Sequence, residues 1–300
     1  MPATHRGTDV FEDHRALLFS IAYRMLGCAS DAEDIVQDAY LRWQATPHST
    51  VRSARDYLST IVTRLALDHL RSARKRREVY VGPWLPEPLV GVDANDPLAA
   101  AALAESLSTA FLVLLERLSA RQRAAFLLHD VFGYEYQELA ATLQTTPANA
   151  RQLVARARQE LARDRPRFAT DRRRATALAE RFLTISRSSD AAALLSLLSP
   201  DAIAHADGGG KFAAARNPIV GADRVARFVA SVVRKWTAHG EVRVAPVNGT
   251  PGLLWFRGGR LAAVLTVSID AGAATVDRVF MVLNPDKLQW PDRIRSWAPP

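Results

Sequence analysis

Residues 81–97 hold four prolines, Pro83, Pro86, Pro88 and Pro97, together with Gly82 and Gly91. Proline has no backbone donor and clashes with the turn before it, so no helix runs through this stretch. Residues 10–77 and 98–165 carry helical periodicity on either side. The interruption therefore requires two separate helical modules in place of one continuous bundle. A second seam, charge-dense and containing Pro166, lies at 163–174 and sets off the last third. A chain of 300 residues has room for this division, expected as domains at 1–80, 100–166 and 167–300 with a linker at 81–99.

In the first module Ser30-Asp31-Ala32-Glu33 reads as a capping box, followed by Ile35, Val36, Ala39, Tyr40 and Trp43 on one helix face. Asp31, Asp34 and Asp38 make an acidic stripe on another face. The next helix, from about residue 53, buries Leu58, Ile61, Val62 and Leu65 and ends in Arg71, Arg74, Lys75, Arg76 and Arg77. Five cations in seven residues exceed what a helix dipole needs, and phosphate contact is the better account.

In the second module Ser119 and Gln122 form another capping box, Gly133 is a helix stop, and 137–143 is a short helix. Thr146 then serves as N-cap with Pro147 at the first helical position. Ala150, Leu153, Val154, Ala157 and Leu161 form the buried stripe of the helix that follows. Asn149, Gln152 and Arg156 lie opposite, flanked by Arg151 and Arg158. This is a helix-turn-helix pattern, with side chains whose donors suit base edges. The plainer alternative is a helical hairpin with a solvated basic face.

The last third alternates helical stretches at 173–185, 190–198 and 222–236 with β-rich runs at 202–205, 242–247, 253–257, 260–269 and 275–283. Gly258-Gly259 is a hairpin signal, and an α+β domain with an antiparallel meander is expected. Asp207-Gly208-Gly209-Gly210-Lys211 fails as a phosphate loop, since Phe212 follows the lysine; it reads as a tight turn allowing close backbone approach. His205, Asp207 and His239 are the acid–base candidates, and a structural role is the expectation for each. Trp236, Trp255, Phe256 and Phe280 either line an apolar pocket or form plain core.

The one cysteine, Cys28, has no disulfide partner, and the seven histidines show no zinc spacing, so neither metal nor cofactor is expected. Without a membrane-length apolar run or a signal-peptide core, a cytoplasmic protein without membrane contact is the expectation. The net charge of +8 makes nucleic acid the first partner to consider. Yet residues 1–170 hold 21 basic and 20 acidic residues against 18 and 11 in 171–300, so the surplus sits mostly away from the helix-turn-helix.

Three strings, Asp31-Ala32-Glu33-Asp34-Ile35-Val36-Gln37-Asp38, Asp68-His69-Leu70-Arg71 and Val154-Ala155-Arg156-Ala157-Arg158, resemble regions 2 and 4 of bacterial extracytoplasmic-function (ECF) sigma factors. The remainder resembles a SnoaL-like domain, a cone-shaped α+β fold found in polyketide cyclases and in a subgroup of these factors. Trp84-Leu85-Pro86-Glu87-Pro88, Asp207-Gly208-Gly209-Gly210-Lys211 and Asn284-Pro285-Asp286-Lys287-Leu288 carry that part of the resemblance. The implied architecture is multidomain: two all-α sigma domains, a region 2 helical bundle and a region 4 helix-turn-helix, plus a C-terminal α+β cone.

The resemblance also implies roles. The chain would be a non-catalytic RNA polymerase sigma factor directing promoter-specific initiation, monomeric when free. Asp31, Glu33, Asp34 and Asp38 would dock on the β′ clamp helices of core polymerase, the β flap being the second core contact. Arg52, Arg55, Tyr57, Arg64, Arg71, Arg74 and Lys75 would meet the −10 element, with Tyr57 stacking on an unpaired base. Thr63-Arg64 stands where such factors commonly carry Arg-Asn. Thr146, Asn149, Arg151, Gln152, Arg156 and Arg158 would read the −35 element. The linker string, the Asp207 loop and the tail from Asn284 would regulate between domains, and a small ligand in the cone is left open. Two other classes remain: a core-independent helix-turn-helix regulator, and an isomerase or cyclase acting through the cone.

Overall fold

A computed structural model describes residues 3–77, 80–91, 107–162, 172–270 and 272–289. The chain gathers into two compact units, one from residues 1–78, 95–107 and 114–164, the other from 79–94, 108–113 and 165–300. The first helical module and most of the second thus belong to the first unit, while residues 108–113 at the start of the second group with the other unit. The expected linker residues 81–91 pack with the last third.

The first unit opens with α1 (Ala3–Leu26), α2 (Ala29–Gln44) and α3 (Ala54–Arg77). Gly27, at φ +66, ends α1 in a conformation that costs glycine little, and Cys28 is extended. This turn places the start of α2 at Ala29, ahead of the expected Ser30 box, with Cys28 as an N-cap whose side chain makes no capping bond to the helix. The periodicity reads through unchanged: Ala32, Ile35, Val36, Ala39 and Trp43 are buried. The three helices pack on one another, burying Phe11, Leu18, Ile21 and Met25 of α1 and Leu58, Val62 and Ala66 of α3.

The second module contains α4 (Thr109–Leu115), α5 (Ala120–Phe126), a wider helical turn at Leu127–Val131, α6 (Tyr136–Thr142) and α7 (Pro147–Ala162). Ser119 and Gln122 exchange both bonds of the capping box. Gly133 ends its helix at φ +72. Thr146 Oγ1 accepts the Asn149 amide at 3.2 Å, with Pro147 at the first position of α7.

The second unit holds α8 (Arg172–Ser188), α9 (Ala191–Leu195), α10 (Ala222–His239) and one sheet. Its strands are β1 (Leu198–Asp207), β2 (Ile219–Val220), β3 (Glu241–Val247), β4 (Thr250–Arg257), β5 (Arg260–Asp270) and β6 (Thr275–Val282), in the order β2-β1-β6-β5-β4-β3. β3 to β6 form the expected antiparallel meander. β1 departs from it and lies parallel to β6, because α10 and four strands intervene before the chain returns beside it. β2 is two residues long, too short to show alternation in the sequence. Gly258-Gly259 turns β4 into β5 with both residues at positive φ, and Asn248-Gly249 does the same between β3 and β4.

The sheet is covered on both faces, and alternate residues feed two cores. Leu253, Trp255, Leu265, Val279 and Met281 join Phe182, Val229, Val233 and Trp236 of the helices. Leu254, Val264, Phe280 and Val282 form the opposite core with Leu85 of the 81–91 segment, Val247 and Leu288. Trp236 and Trp255 stack with centroids 5.7 Å apart. These aromatics are core, so Phe182→Ala is expected to cost about 3–5 kcal/mol. Denaturant unfolding followed by tryptophan fluorescence, sensitive to Trp236 and Trp255, reads that loss.

Candidate functional site

Three groups of side chains stand out. The first is the outer face of α7. Ala150, Val154, Ala157 and Leu161 are buried, which leaves Asn149, Arg151, Gln152, Arg156 and Arg158 exposed together. Asn149 donates to Thr145 Oγ1 at 2.6 Å, and Arg151 lies over the Tyr136 ring at 5.3 Å. Arg158 pairs with Asp130, which raises its pKa, so its charge is partly spent inside the unit. Gln152 and Arg156 present their donors outward.

The second group lies on α2 and α3. The acidic stripe divides: Asp31 pairs with His69 at 3.1 Å and Glu33 with Arg15 at 2.8 Å, while Asp34 and Asp38 are exposed. Tyr57 is partly exposed, its hydroxyl 3.0 Å from Thr46 Oγ1 and its ring 6.0 Å from Trp43. Arg52 is exposed and Arg71 pairs with Asp68 on the surface. The side chains of Arg74 and Lys75 lie outside the described residues. Arg55 and Arg64 point to the second module: Arg55 donates to Phe132 O at 2.9 Å, and Arg64 to Thr142 O at 3.1 Å and Ala141 O at 2.9 Å.

The third group is a clasp around Asp207, whose carboxylate is completely buried. One oxygen accepts from the Tyr80 hydroxyl at 2.5 Å and the Gly209 amide at 3.1 Å. The other accepts from the Leu85 amide at 2.9 Å and Lys287 Nζ at 2.7 Å. Four donors fill the lone-pair directions of a carboxylate, which makes its burial tolerable. Lys287 also donates to Leu85 O at 2.6 Å and lies over the rings of Trp84 at 4.1 Å and Tyr80 at 4.9 Å. Asn284 donates to the Tyr80 oxygen at 2.8 Å.

The glycines are steric necessities. A Cβ on Gly209, itself at φ +58, would come within 2.3 Å of Asn284 Nδ2, and one on Gly208 within 2.2 Å of Phe212 O. Lys211 reaches Asp286 at 2.6 Å on the surface. Leu85, Pro86, Glu87, Pro88 and Leu288 are buried and Pro285 exposed. Tyr80, Asn284 and Lys287 thus complete a site in which the sequence marked Asp207 as a turn residue; Tyr80 had no signal beyond its place at the linker edge. Beside the loop lies a cavity of about 220 Å³ lined in part by Val81, Gly82, Lys211, Phe212 and Arg216.

The acid–base candidates do not assemble. Asp207 is saturated by donors, His239 Nδ1 lies 2.8 Å from Lys235 O on the surface, and His205 stacks on Phe280. Burial, then Arg278, lowers the His205 pKa and favours its neutral form. Among the described residues no three His, Cys, Asp or Glu are placed to hold a metal, and no helix is long and apolar enough to cross a membrane.

Comparison with known proteins agrees with this geometry. The family model "Sigma-70 region 2" matches residues 10–76, and "Sigma-70, region 4" matches 108–161. The chain belongs to the extracytoplasmic-function RNA polymerase sigma factors. The ECF RNA polymerase sigma factor SigJ of Mycobacterium tuberculosis H37Rv is 41% identical, covering 92% of this chain and 91% of that one. A probable ECF sigma factor, SigI of M. tuberculosis CDC 1551, is 33% identical with 92% of each chain covered. The crystal structure of M. tuberculosis SigJ superposes with a TM-score of 0.74 at 37% identity, over 93% of this chain and 97% of that one. The likeness runs through all three parts, including the C-terminal mixed sheet.

Two outcomes follow from the clasp. Asp207→Asn puts an amide donor among donors and leaves Lys287 without its anion, at an expected cost of about 3–5 kcal/mol; limited proteolysis within 80–91 detects the released segment. Burial, then the bond to Asp207, raises the Tyr80 pKa above its usual 10.0. The stability this contributes is complete below the usual value and lost as pH rises through the raised one. Tyr80→Phe is expected to remove that alkaline loss in denaturant titrations run above the ordinary tyrosine range.

Proposed function

We propose that this sigma factor directs core polymerase to its promoters through two faces and that its own C-terminal domain controls their use. The outward face of α7, with Asn149, Gln152 and Arg156 exposed together, carries the reading: amide and guanidinium donors on a helix-turn-helix suit the −35 element, in a family that binds core and promoter. Arg151, Arg158 and Thr146 flank it as phosphate contacts. α3 faces the −10 element through Arg52, Arg55, Tyr57, Arg64, Arg71, Arg74 and Lys75. Asp34 and Asp38, exposed on α2, are the main acidic contacts for core, with Asp31 and Glu33 holding the helix in place through His69 and Arg15.

The C-terminal domain acts through the clasp. Tyr80 and Leu85 follow directly from region 2, so a tail that grips them through Asp207, Asn284 and Lys287 influences how the DNA-binding modules are presented. The saturation of Asp207 supports regulation over catalysis in the cone.

Run-off transcription with purified core tests this reading. The full chain is expected to yield a promoter-dependent transcript, and a chain ending at residue 283 an altered amount. Absence of transcript from every form would sink it. Gln152→Ala and Arg156→Ala are each expected to cost about 1–3 kcal/mol of −35 discrimination. Footprinting with and without core separates a sigma factor, which needs core for strong protection, from a core-independent regulator.

A further inference from the structure

At the end of β1 two successive side chains take opposite faces of the sheet. Asp207 turns to Leu85 and is consumed by the clasp, whereas Ala206 packs with the helix-side core and lines the cavity of about 220 Å³ beside the loop. All of the cavity lies within the second unit. Its walls come from three stretches: Val81 and Gly82, the glycine loop, and the connection from Phe212 to Arg216. A Cβ on Gly210 would stand 3.4 Å from Val81, and one on Gly82 3.8 Å from the Arg216 Cα, so the three stretches meet around the space. Ala213, Ala214 and Ala215 each supply only a methyl group and leave it unfilled.

The wall is cationic and short of acceptors. Among the described residues that line it, none is acidic. Lys211 is matched to Asp286, but Arg216 is exposed and makes no side-chain hydrogen bond or ion pair among the described residues. The amides of Gly210, Ala213, Ala214, Ala215 and Arg216 likewise donate to no protein acceptor among them. An unused guanidinium fork beside amides without acceptors suits an oxyanion. The rest of the lining, with Val81, Ala206, the three alanines and the partly exposed Phe212 ring, is apolar. A phosphate would leave those surfaces unmet, and one unmatched guanidinium balances a single charge. At about 30 Å³ per water the space equals about seven waters, which limits the ligand to a compact molecule.

We propose that the cavity binds a small organic monocarboxylate, its carboxylate on Arg216 and the neighbouring amides and its apolar body against Phe212, Val81 and the alanines. Because Val81 and Gly82 form part of the wall, the site is complete only while the 81–91 segment is clasped, and a bound ligand favours the clasped state by its preference for it. That consequence rests on the regulatory reading of the clasp; the binding itself does not.

Ligand-observed NMR titration of the full chain with benzoate tests the site, with benzamide and inorganic phosphate as competitors. Benzoate is expected to bind once per chain and to resist displacement by either. Arg216→Gln is expected to weaken it at least about tenfold, and Ala213→Trp, which fills the space from an exposed position, to abolish it. Both substitutions fall on exposed residues, away from the two cores. No binding at about 10 mM benzoate, or equal affinity in wild type and Arg216→Gln, overturns the site. Unchanged binding in Ala213→Trp overturns its location, and displacement by phosphate or benzamide at equal concentration overturns the carboxylate class. At ten times its Kd, benzoate is further expected to slow proteolysis within 80–91 by up to about tenfold and to change the run-off transcript. Binding with neither effect overturns the coupling to the clasp and leaves the site standing.

Discussion

A carboxylate removed from water must have its lone pairs met, and the second unit is organised around meeting those of Asp207. Its four donors come from three separate stretches of chain: Tyr80 and Leu85 before the sheet, Gly209 beside it, and Lys287 after it. Each stretch alone is poorly suited to order. Residues 81–91 have no regular structure beyond a single bridge from Val90 to Val247, and the described part of the tail, residues 283–289, has one short turn. The buried charge makes their positions interdependent, because removing any donor exposes the others to an under-satisfied anion. The apolar core of Leu85, Phe280, Val282 and Leu288 then closes over the same place.

The first unit follows another version of the same physics. Helix ends leave carbonyls without partners, and arginines supply donors: Arg123 at the end of α1, Arg64 at the end of α6. Cations in a DNA-binding protein therefore do double duty. The nearly balanced charge of residues 1–170 agrees with this, since Arg15, Arg71, Arg123 and Arg158 are each matched to a carboxylate. Among the described residues, the cations of α7 without a carboxylate partner in an ion pair are Arg151 and Arg156.

Much of the fold was legible where one local rule acts alone. Ser119 and Gln122, Thr146 and Pro147, and Gly258-Gly259 each satisfy nearby backbone groups, and a short window of residues contains all the partners. Other features depend on more than one local signal. α2 starts at Ala29 because the neighbouring Gly27 and Cys28 set the turn, in competition with the Ser30 box, and β2 is visible only once the distant β1 is beside it. The parallel pairing of β1 with β6 joins residues about 75 positions apart, for which alternation carries no direction.

The sequence by itself determined the modules, their order, the buried stripe of α7 and the family to which the chain belongs, because periodicity and motif spacing are local properties. Tertiary structure decided which functional side chains are available. Asp31 and Glu33 are engaged by His69 and Arg15, Arg55 and Arg64 bind carbonyls, and Asp207 turns from a loop residue into a buried centre joined to Tyr80 and Lys287. These are questions of desolvation and of competition for donors, settled by neighbours distant in sequence. A charge on paper becomes a contact or a clasp only when the folded chain fixes what else lies within reach.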